Sequence, residues 1–532
     1  MRQIYSWFNT WGSRRHVLGA GGPPPAPVVP PIIDDIGWEV FVNAAWESSP
    51  PSALAAQAQN TGIADGATMV TQTDWSTNAR HLTVDVAKPF TWQADGGHGY
   101  PALRAPAATG GKGSALPTPV PLNATGVTTF AVAVEDNELS SSGGALFSLY
   151  RGSFYNSTTV TRSALDQWAM RDDSGAGTGS VPDRWFIAAG ERRTRLHVYE
   201  IDRTADPIVI RRWDNGVPQP EVTVTRGTGT VDLTRLFALS TFSGNGGVFG
   251  CDVLFAGVVN GGLTANQRDT ISEYFTEVSS EPAWVDGWTY DRAESWLKTF
   301  VNPRWESNPA LAPAAWQSRA QNTGVLNNAT IAGVTDWATG NHLVSPLAAQ
   351  RFIWQAAGLN GEANFLPDAV DDEVASTSAF ELSADHAFVG TAAPTAAIRV
   401  LVEHGPNATS GANGTALLSI PPASAEFAGQ LRRSSSYYRN RGPWADGAAH
   451  TFNWETNPAS AGVYWRVDGV SATSSTSNAG TPTGTYLEKL HIGSRAGGLF
   501  PVGGAIGIVA VVDGNKAAAR VIEHQVTLDY GL

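Results

Sequence analysis

The chain has 532 residues, 35 Lys and Arg against 48 Asp and Glu, a formal charge of −13 and a single Cys. Hydrophobic residues make up 42% and charged residues only 16%, which excludes a solvated disordered polymer. The acidic balance, with no basic run, argues against a nucleic-acid binder. The lone Cys251 excludes intrachain disulfides and Cys-based zinc sites, and the length leaves room for roughly two to four domains.

The first segment, MRQIYSWFNTWGSRRHVLGAGG, makes a poor secretory signal, because polar residues break its apolar stretch and Arg14 and Arg15 fall where a cleavage region belongs. Residues 1–20 are read instead as an anchor peptide that docks into a larger assembly through Trp7, Phe8, Trp11, Arg14 and Arg15; a disordered tail is the alternative. GGPPPAPVVPP (Gly21–Pro31) is a stiff polyproline-type spacer, so residues 21–36 are read as a Pro-rich linker. No apolar run approaches about 18 residues, so no membrane insertion is expected.

Beyond the arm the chain is duplicated. FVNAAWESSP at Phe41 recurs as FVNPRWESNP at Phe300, an offset of 259. QNTG (Gln59, Gln321), TDW (Thr73, Thr335) and WQA (Trp92, Trp354) recur at an offset of 262. HVYEIDRTADPIVIRRWDNG (His197–Gly216) aligns without gaps on HTFNWETNPASAGVYWRVDG (His450–Gly469) at 253, and VVNG at Val258 meets VVDG at Val511 at the same offset. The domains are therefore read as 37–283 and 292–532, with 284–291 as a linker.

Within each copy the pattern is β. VTTFAVAVED (Val127–Asp136) and AAIRVLVEHG (Ala396–Gly405) have strand length and β-branched content. The aligned 20-residue block reads as a hairpin turning at Asp202–Pro207 or Glu455–Pro458, and GIVAVVDG reads as a buried strand. Only LTANQRDTISEYFTEV (Leu263–Val278) reads as a helix. The expected class is all-β.

TDWSTNARHLT, GYPALRA, the His-led hairpin, LHIGSRAGGLFPVGGAIGIVAVVDG and LTANQRDTISEYF, in this order, resemble the concanavalin A-like lectin/glucanase superfamily in its laminin-G-like bacterial and phage branch. The resemblance spans both copies and implies two tandem jelly-roll β-sandwiches. It implies no activity by itself, since the fold hosts lectins, hydrolases and spacers.

Glucanases of that superfamily carry catalytic carboxylates in an E-x-D-x-x-E-like spacing. Here Glu200 and Asp202 are followed by no Glu, and in the gapless alignment they become Asn453 and Glu455, so no catalytic residues are expected. His81 and His342 are read as repeat-equivalent, as are His197 and His450, and both pairs suit framework hydrogen bonding. Asp368, Asp371, Asp372 and Glu373 could supply hard oxygen ligands for Ca²⁺, against a solvated loop as the plainer reading; no other cofactor is expected.

Trp46/Trp305, Trp75/Trp337 and Trp92/Trp354 recur and are read as packing the cores or fixing the sheet ends. The unrepeated Tyr155, Trp168 and Trp185, and Tyr437, Tyr438, Arg439, Arg441 and Trp444, are read as polar-loop carbohydrate contacts, because aromatic faces match sugar rings and guanidinium forks grip acidic glycans. The alternative is local packing with solvated Arg. The expected function is a non-enzymatic fibre or spike protein on the virion surface of a bacteriophage or gene transfer agent. Its N-terminus would bind other virion proteins, and its lectin-like domains would bind host surface polysaccharide; a homo-oligomer is compatible with this. The rival readings are a bacterial adhesin, a polysaccharide-degrading enzyme and a structural decoration protein.

Overall fold

A computed structural model of the chain describes residues 29–84, 89–96, 100–104, 114–121, 126–136, 145–149, 158–164, 167–172, 183–184, 193–224, 232–237, 251–367, 372–394, 399–405, 414–419, 426–433, 436–443, 448–457, 462–471, 486–494 and 503–532. The fold is all-β, two tandem sandwiches of the jelly-roll kind. Among the described residues every ladder is antiparallel and none joins one copy to the other. No helix there is long and apolar enough to cross a membrane.

In the first copy, helix α1 (Pro31–Asp34) leads into β1 (Val40–Asn43). The larger sheet takes β2 (Val127–Asp136), β3 (Arg193–Asp202), β4 (Ile208–Asp214), β5 (Val217–Val224) and β6 (Cys251–Val259), in the order β5-β4-β3-β2-β6, with β1 on the far side of β6. Phe130, Val132 and Val134 of β2 point into the sandwich beside Tyr199 and Ile201 of β3. Ala131, Ala133, Leu196 and Val198 point the other way, beneath Ile271 and Phe275 of helix α2 (Ala265–Ser279). Both faces of the sheet are covered, which is why β2 reads as a nearly continuous apolar run. The expected helix is present, and a Thr264–Gln267 capping box starts it.

The second copy repeats the plan with β7 (Leu297–Val301), β8 (His386–Pro394), β9 (Glu426–Arg433), β10 (Ser436–Pro443), β11 (His450–Asn457), β12 (Gly462–Val467), β13 (Gly504–Asp513) and helix α3 (Lys516–Tyr530). Helix α3 corrects the expectation of a single helix. Ala518, Ile522, Val526 and Tyr530 recur every fourth residue on its buried face, Asn515 caps its first turn, and Gly531 closes it with φ 61°.

The smaller sheets correspond strand for strand. In the second copy the order is Gly333–Val334, Leu343–Val344, Val374–Ser376, Leu490–Ile492, Arg399–His404, Gly414–Ser419, β9, β10. In the first it is Thr71–Gln72, Leu82–Val84, Ser114–Pro121, Asp232–Phe237, then Ala145–Leu149, Thr158–Ala164, Gln167–Asp172, Asp183–Arg184; Asp232–Phe237 runs beside Ala145–Leu149 without a shared ladder. The counterpart of β2 is thus β8, while Arg399–His404 belongs to the opposite sheet.

The ladders also correct the hairpin alignment. Phe41 lies opposite Gly257 and Phe300 opposite Ala510, which fixes the frame of β6 on β13 at an offset of 253. Thr129 lies opposite Val259 and Glu200; Ala387 lies opposite Val512 and Glu455. Glu200 therefore corresponds to Glu455, not to Asn453. His197, opposite Val132 and Asp214, corresponds to Phe452, opposite Gly390 and Val467, and not to His450. The alignment slips by two residues along β3, a full strand period, so the inward–outward pattern hides the error.

Two expected linkers are packed. Ile32, Ile33 and Ile36 are buried against Trp38 and the underside of α2, so the end of the arm belongs to the first core. Val285, Trp288 and Tyr290 are buried in the cluster that covers the outer face of the second copy's larger sheet.

Candidate functional site

A duplicated polar cage holds the start of each sandwich. Glu47 accepts from Thr73 N (2.7 Å), Thr73 Oγ1 (2.8 Å) and Asn60 Nδ2 (2.8 Å); Glu306 accepts from Thr335 N (2.6 Å), Thr335 Oγ1 (3.0 Å) and Asn322 Nδ2 (2.6 Å). Burial drives both carboxyls up, Glu306 to about 7, against the pull of those hydrogen bonds. Asp74 and Asp336 accept from Phe41 N and Phe300 N, each at 2.9 Å, and themselves donate backbone N–H groups to His81 and His342 at 3.3 Å. Trp46 meets Trp75 edge-on, and Trp305 meets Trp337 likewise. The indoles of Trp92 and Trp354 donate to Ala44 O and Pro303 O. The recurring Trp and this His pair are framework, as expected.

Glu200 and Asp202 lie on the outer face of the larger sheet at the start of α2, away from the sandwich interior. Arg211, across the hairpin, reaches Glu200 (2.8 Å), Asp202 (3.4 Å) and Glu221 (2.7 Å), and Leu263 N donates to Glu200 (3.4 Å). Hydrogen bonds from the Thr204 side chain and backbone hold Asp202 low. Both carboxylates are engaged by one guanidinium, which does not resemble an open acid–nucleophile pair.

The same rungs differ in polarity inside the two sandwiches. His197 Nδ1 lies 3.0 Å from Asp214, and Arg212 Nε lies 3.1 Å from it, all three buried. Burial works against the Asp214 charge, but Arg212 and His197 hold the carboxyl at about 2. In the second copy Phe452, Trp465 and Val467 occupy these positions. Beneath the helices the polarity is reversed: Leu196 and Val198 of the first copy correspond to Thr451 and Asn453 of the second.

Five of the expected glycan contacts lie on described strands at corresponding ends of the two smaller sheets. Tyr437, Tyr438, Arg439 and Arg441 belong to an edge strand rather than a loop: β10 closes the second copy's smaller sheet, opposite Arg432, Leu431, Gln430 and Ala428 of β9. Trp168 lies on Gln167–Asp172, the first-copy counterpart of β9, opposite Asp183 of the last strand. Trp185 directly follows that last strand in sequence. Tyr155, Trp185 and Trp444, the anchor residues Trp7, Phe8, Trp11, Arg14 and Arg15, and Asp368 and Asp371 lie outside the described residues. Asp372 and Glu373 are buried, not solvated, and Glu373 lies 2.6 Å from His491 Nδ1. Glu373 is thus engaged by His491, and among the described residues no three His, Cys, Asp or Glu share a metal-binding arrangement.

Sequence reasoning did not find the junction between the copies. Trp284 N donates to Asn215 O (2.8 Å), its indole donates to Gln525 (3.1 Å), and its ring meets His524 edge-on at 4.8 Å. Gly216 (φ 78°) leaves room for this crossing, because a Cβ there would overlap the Trp284 carbonyl. Asn515 also donates to Glu281 (2.6 Å), and Tyr290 to Asp529 (2.8 Å). Beside this seam lies a cleft of about 220 Å³, walled by Asp214 and the Val217–Pro220 segment on one side and by α3 and the Arg466–Gly469 turn on the other.

No protein-family model matches the chain, and no curated protein matches it. Among solved structures the chain is similar to domains LG4-5 of the mouse laminin alpha1 chain, at 11% identity and a TM-score of 0.24 over 74% of this chain and 86% of that one. It is similar to a Trypanosoma rangeli sialidase in complex with sialic acid (14%, TM-score 0.30, 47% of this chain and 35% of that one). It is also similar to domain 4 of the Geobacillus stearothermophilus extracellular arabinanase AbnA in complex with arabinotriose (14%, TM-score 0.26, 32% and 80%). Likenesses at this level carry no inference about ligand or activity.

Proposed function

We propose that this protein is a non-enzymatic fibre or spike component of a phage or phage-like particle, docked by its N-terminal peptide, which binds host surface polysaccharide along the smaller sheets. One observation carries the binding part. The non-repeated aromatic sequence positions Trp168 and Tyr437–Tyr438 fall on the last two strands of equivalent sheets, although they share no sequence motif. The larger sheets are covered on both faces, by the partner sheet and by a terminal helix, so the outer faces of the smaller sheets are the surface this reading assigns to binding. Arg439 and Arg441 on β10 favour acidic glycans. Particle attachment rests on the aromatic-basic sequence of residues 1–20.

The test is retention on immobilised host polysaccharide. Tyr437→Ala with Tyr438→Ala is expected to weaken binding about tenfold without changing the unfolding temperature, as is Trp168→Ala. Combining both edges should weaken it more than either alone, because two weak contacts on one molecule reinforce each other. Unchanged retention in the combined variant overturns the reading, and so does release of reducing sugar.

A further inference from the structure

We propose that the cleft between the two sandwiches is a binding site for a neutral sugar unit about one ring in size, recognised through its hydroxyl groups. The inference deepens the glycan-binding reading, on which it rests for the class of ligand, but uses a different surface. At about 220 Å³ the cleft falls below the roughly 300–1,000 Å³ of pockets for drug-sized molecules.

Its charges select against an anion. Arg466 Nε lies 3.0 Å from Glu523, and Arg520 Nε lies 3.2 Å from Glu455. Both guanidiniums are thus already engaged by carboxylates. Asp214 and Asp468 also line the cleft, Asp214 beside Arg212 (3.1 Å) and Asp468 beside His450 (2.7 Å), so the charges there are already paired and the field does not favour a uronate or a phosphate.

The lining does suit hydroxyls, each of which donates and accepts. Carboxylates have about four lone-pair sites apiece, and Asp468 is partly exposed at the rim, where it can accept from a sugar hydroxyl. Gln219 carries an amide, and His524 an imidazole that burial keeps neutral, its pKa lowered to about 4. Val217, Pro218 and Pro220 add aliphatic surface of the kind that faces the C–H side of a pyranose. Neither sandwich forms this site alone: the first supplies the aliphatic wall and Gln219, the second the charged wall and His524.

The experiment titrates the full chain with glucose, galactose, N-acetylglucosamine and arabinose, with glucuronate as the acidic comparison. The His524 ring resonance is followed by NMR and assigned with His524→Asn. At least one neutral sugar is expected to shift that resonance saturably, and Gln219→Ala should weaken the titration about fivefold or more with unchanged thermal unfolding. Tyr437→Ala with Tyr438→Ala should leave it intact. No saturable shift, a stronger response to glucuronate, or indifference to Gln219→Ala overturns the inference. Polysaccharide retention without a His524 response would fail the cleft alone; a His524 response without retention would fail the sheet-edge reading alone.

Discussion

Glu200 and Glu455 occupy the same rung of equivalent ladders, yet different elements neutralise them: Arg211 across the hairpin for Glu200, and Arg520 on the terminal helix for Glu455. The second copy therefore ties its helix to its sheet by charge where the first uses apolar contact. Burial opposes the Glu455 charge, and Arg520, Lys516 and Arg466 hold its pKa down regardless. Arg520→Met leaves a buried carboxylate without its guanidinium and should destabilise by about 3 kcal/mol or more. Arg211→Met, at a part-exposed pair, should lose about 1 kcal/mol or less. Urea unfolding of the two variants checks the contrast.

The interior rung makes the reverse prediction. Asp214→Ala strands Arg212 and His197 and should destabilise by about 3–5 kcal/mol. The triple change His197→Phe, Arg212→Trp and Asp214→Val installs the second copy's own solution. It should recover most of that loss, because well-packed apolar groups often replace a buried ionic set at little penalty. A triple variant less stable than Asp214→Ala would show that the two interiors are not interchangeable.

Glu306 gives a pH signature. Its native pKa is raised from 4.5 to about 7, so between those values the native state holds a proton that the unfolded chain has released. This group's contribution is therefore greatest below about pH 4.5 and falls as pH rises toward 7. Glu47 acts in the same direction. Glu306→Gln should flatten the fall, as read from denaturation midpoints at pH 5 and pH 7, while Glu306→Ala should destabilise at both because it leaves the buried Thr335 N–H without its acceptor and removes one of the two acceptors of Asn322 Nδ2.

Truncation separates arm from core. Removing residues 1–28 should leave the unfolding temperature unchanged and, if the proposed attachment holds, abolish incorporation into particles. Removing residues 1–36 also deletes buried Ile32, Ile33 and Ile36, each worth roughly 2–5 kcal/mol by analogy with large-to-small core changes, and should unfold the first copy. Calorimetry and particle composition report the two effects separately.

The duplication, the all-β class, the hairpins and α2 were legible because each rests on local residues: repeated Trp motifs, turn residues and a capping Thr264. α3 was hidden because its buried face begins with small Ala518 and Ala519 and carries few large apolar residues. The slip along β3 was invisible because two residues is the repeat of a strand, so His197 could be set against His450 without disturbing alternation. Only the partners across the sheet, Val132 for His197 and Gly390 for Phe452, separate the two registers. EPAWVDGWTYD read as a linker because nothing local announces that Trp284 crosses Asn215 and reaches Gln525. That pairing depends on positions 241 residues apart.

The Trp284 seam turns a tandem into a caliper. With flexible tethering, the second binding event would depend on tether length and the two edges could span many spacings. A join fastened by Asn215, Gln525 and Asp529 instead holds the two edges at one separation. On the proposed reading, a polymer whose repeat matches that gap would engage both edges at once and one whose repeat does not would engage a single edge, so the molecule would discriminate by period as well as by chemistry.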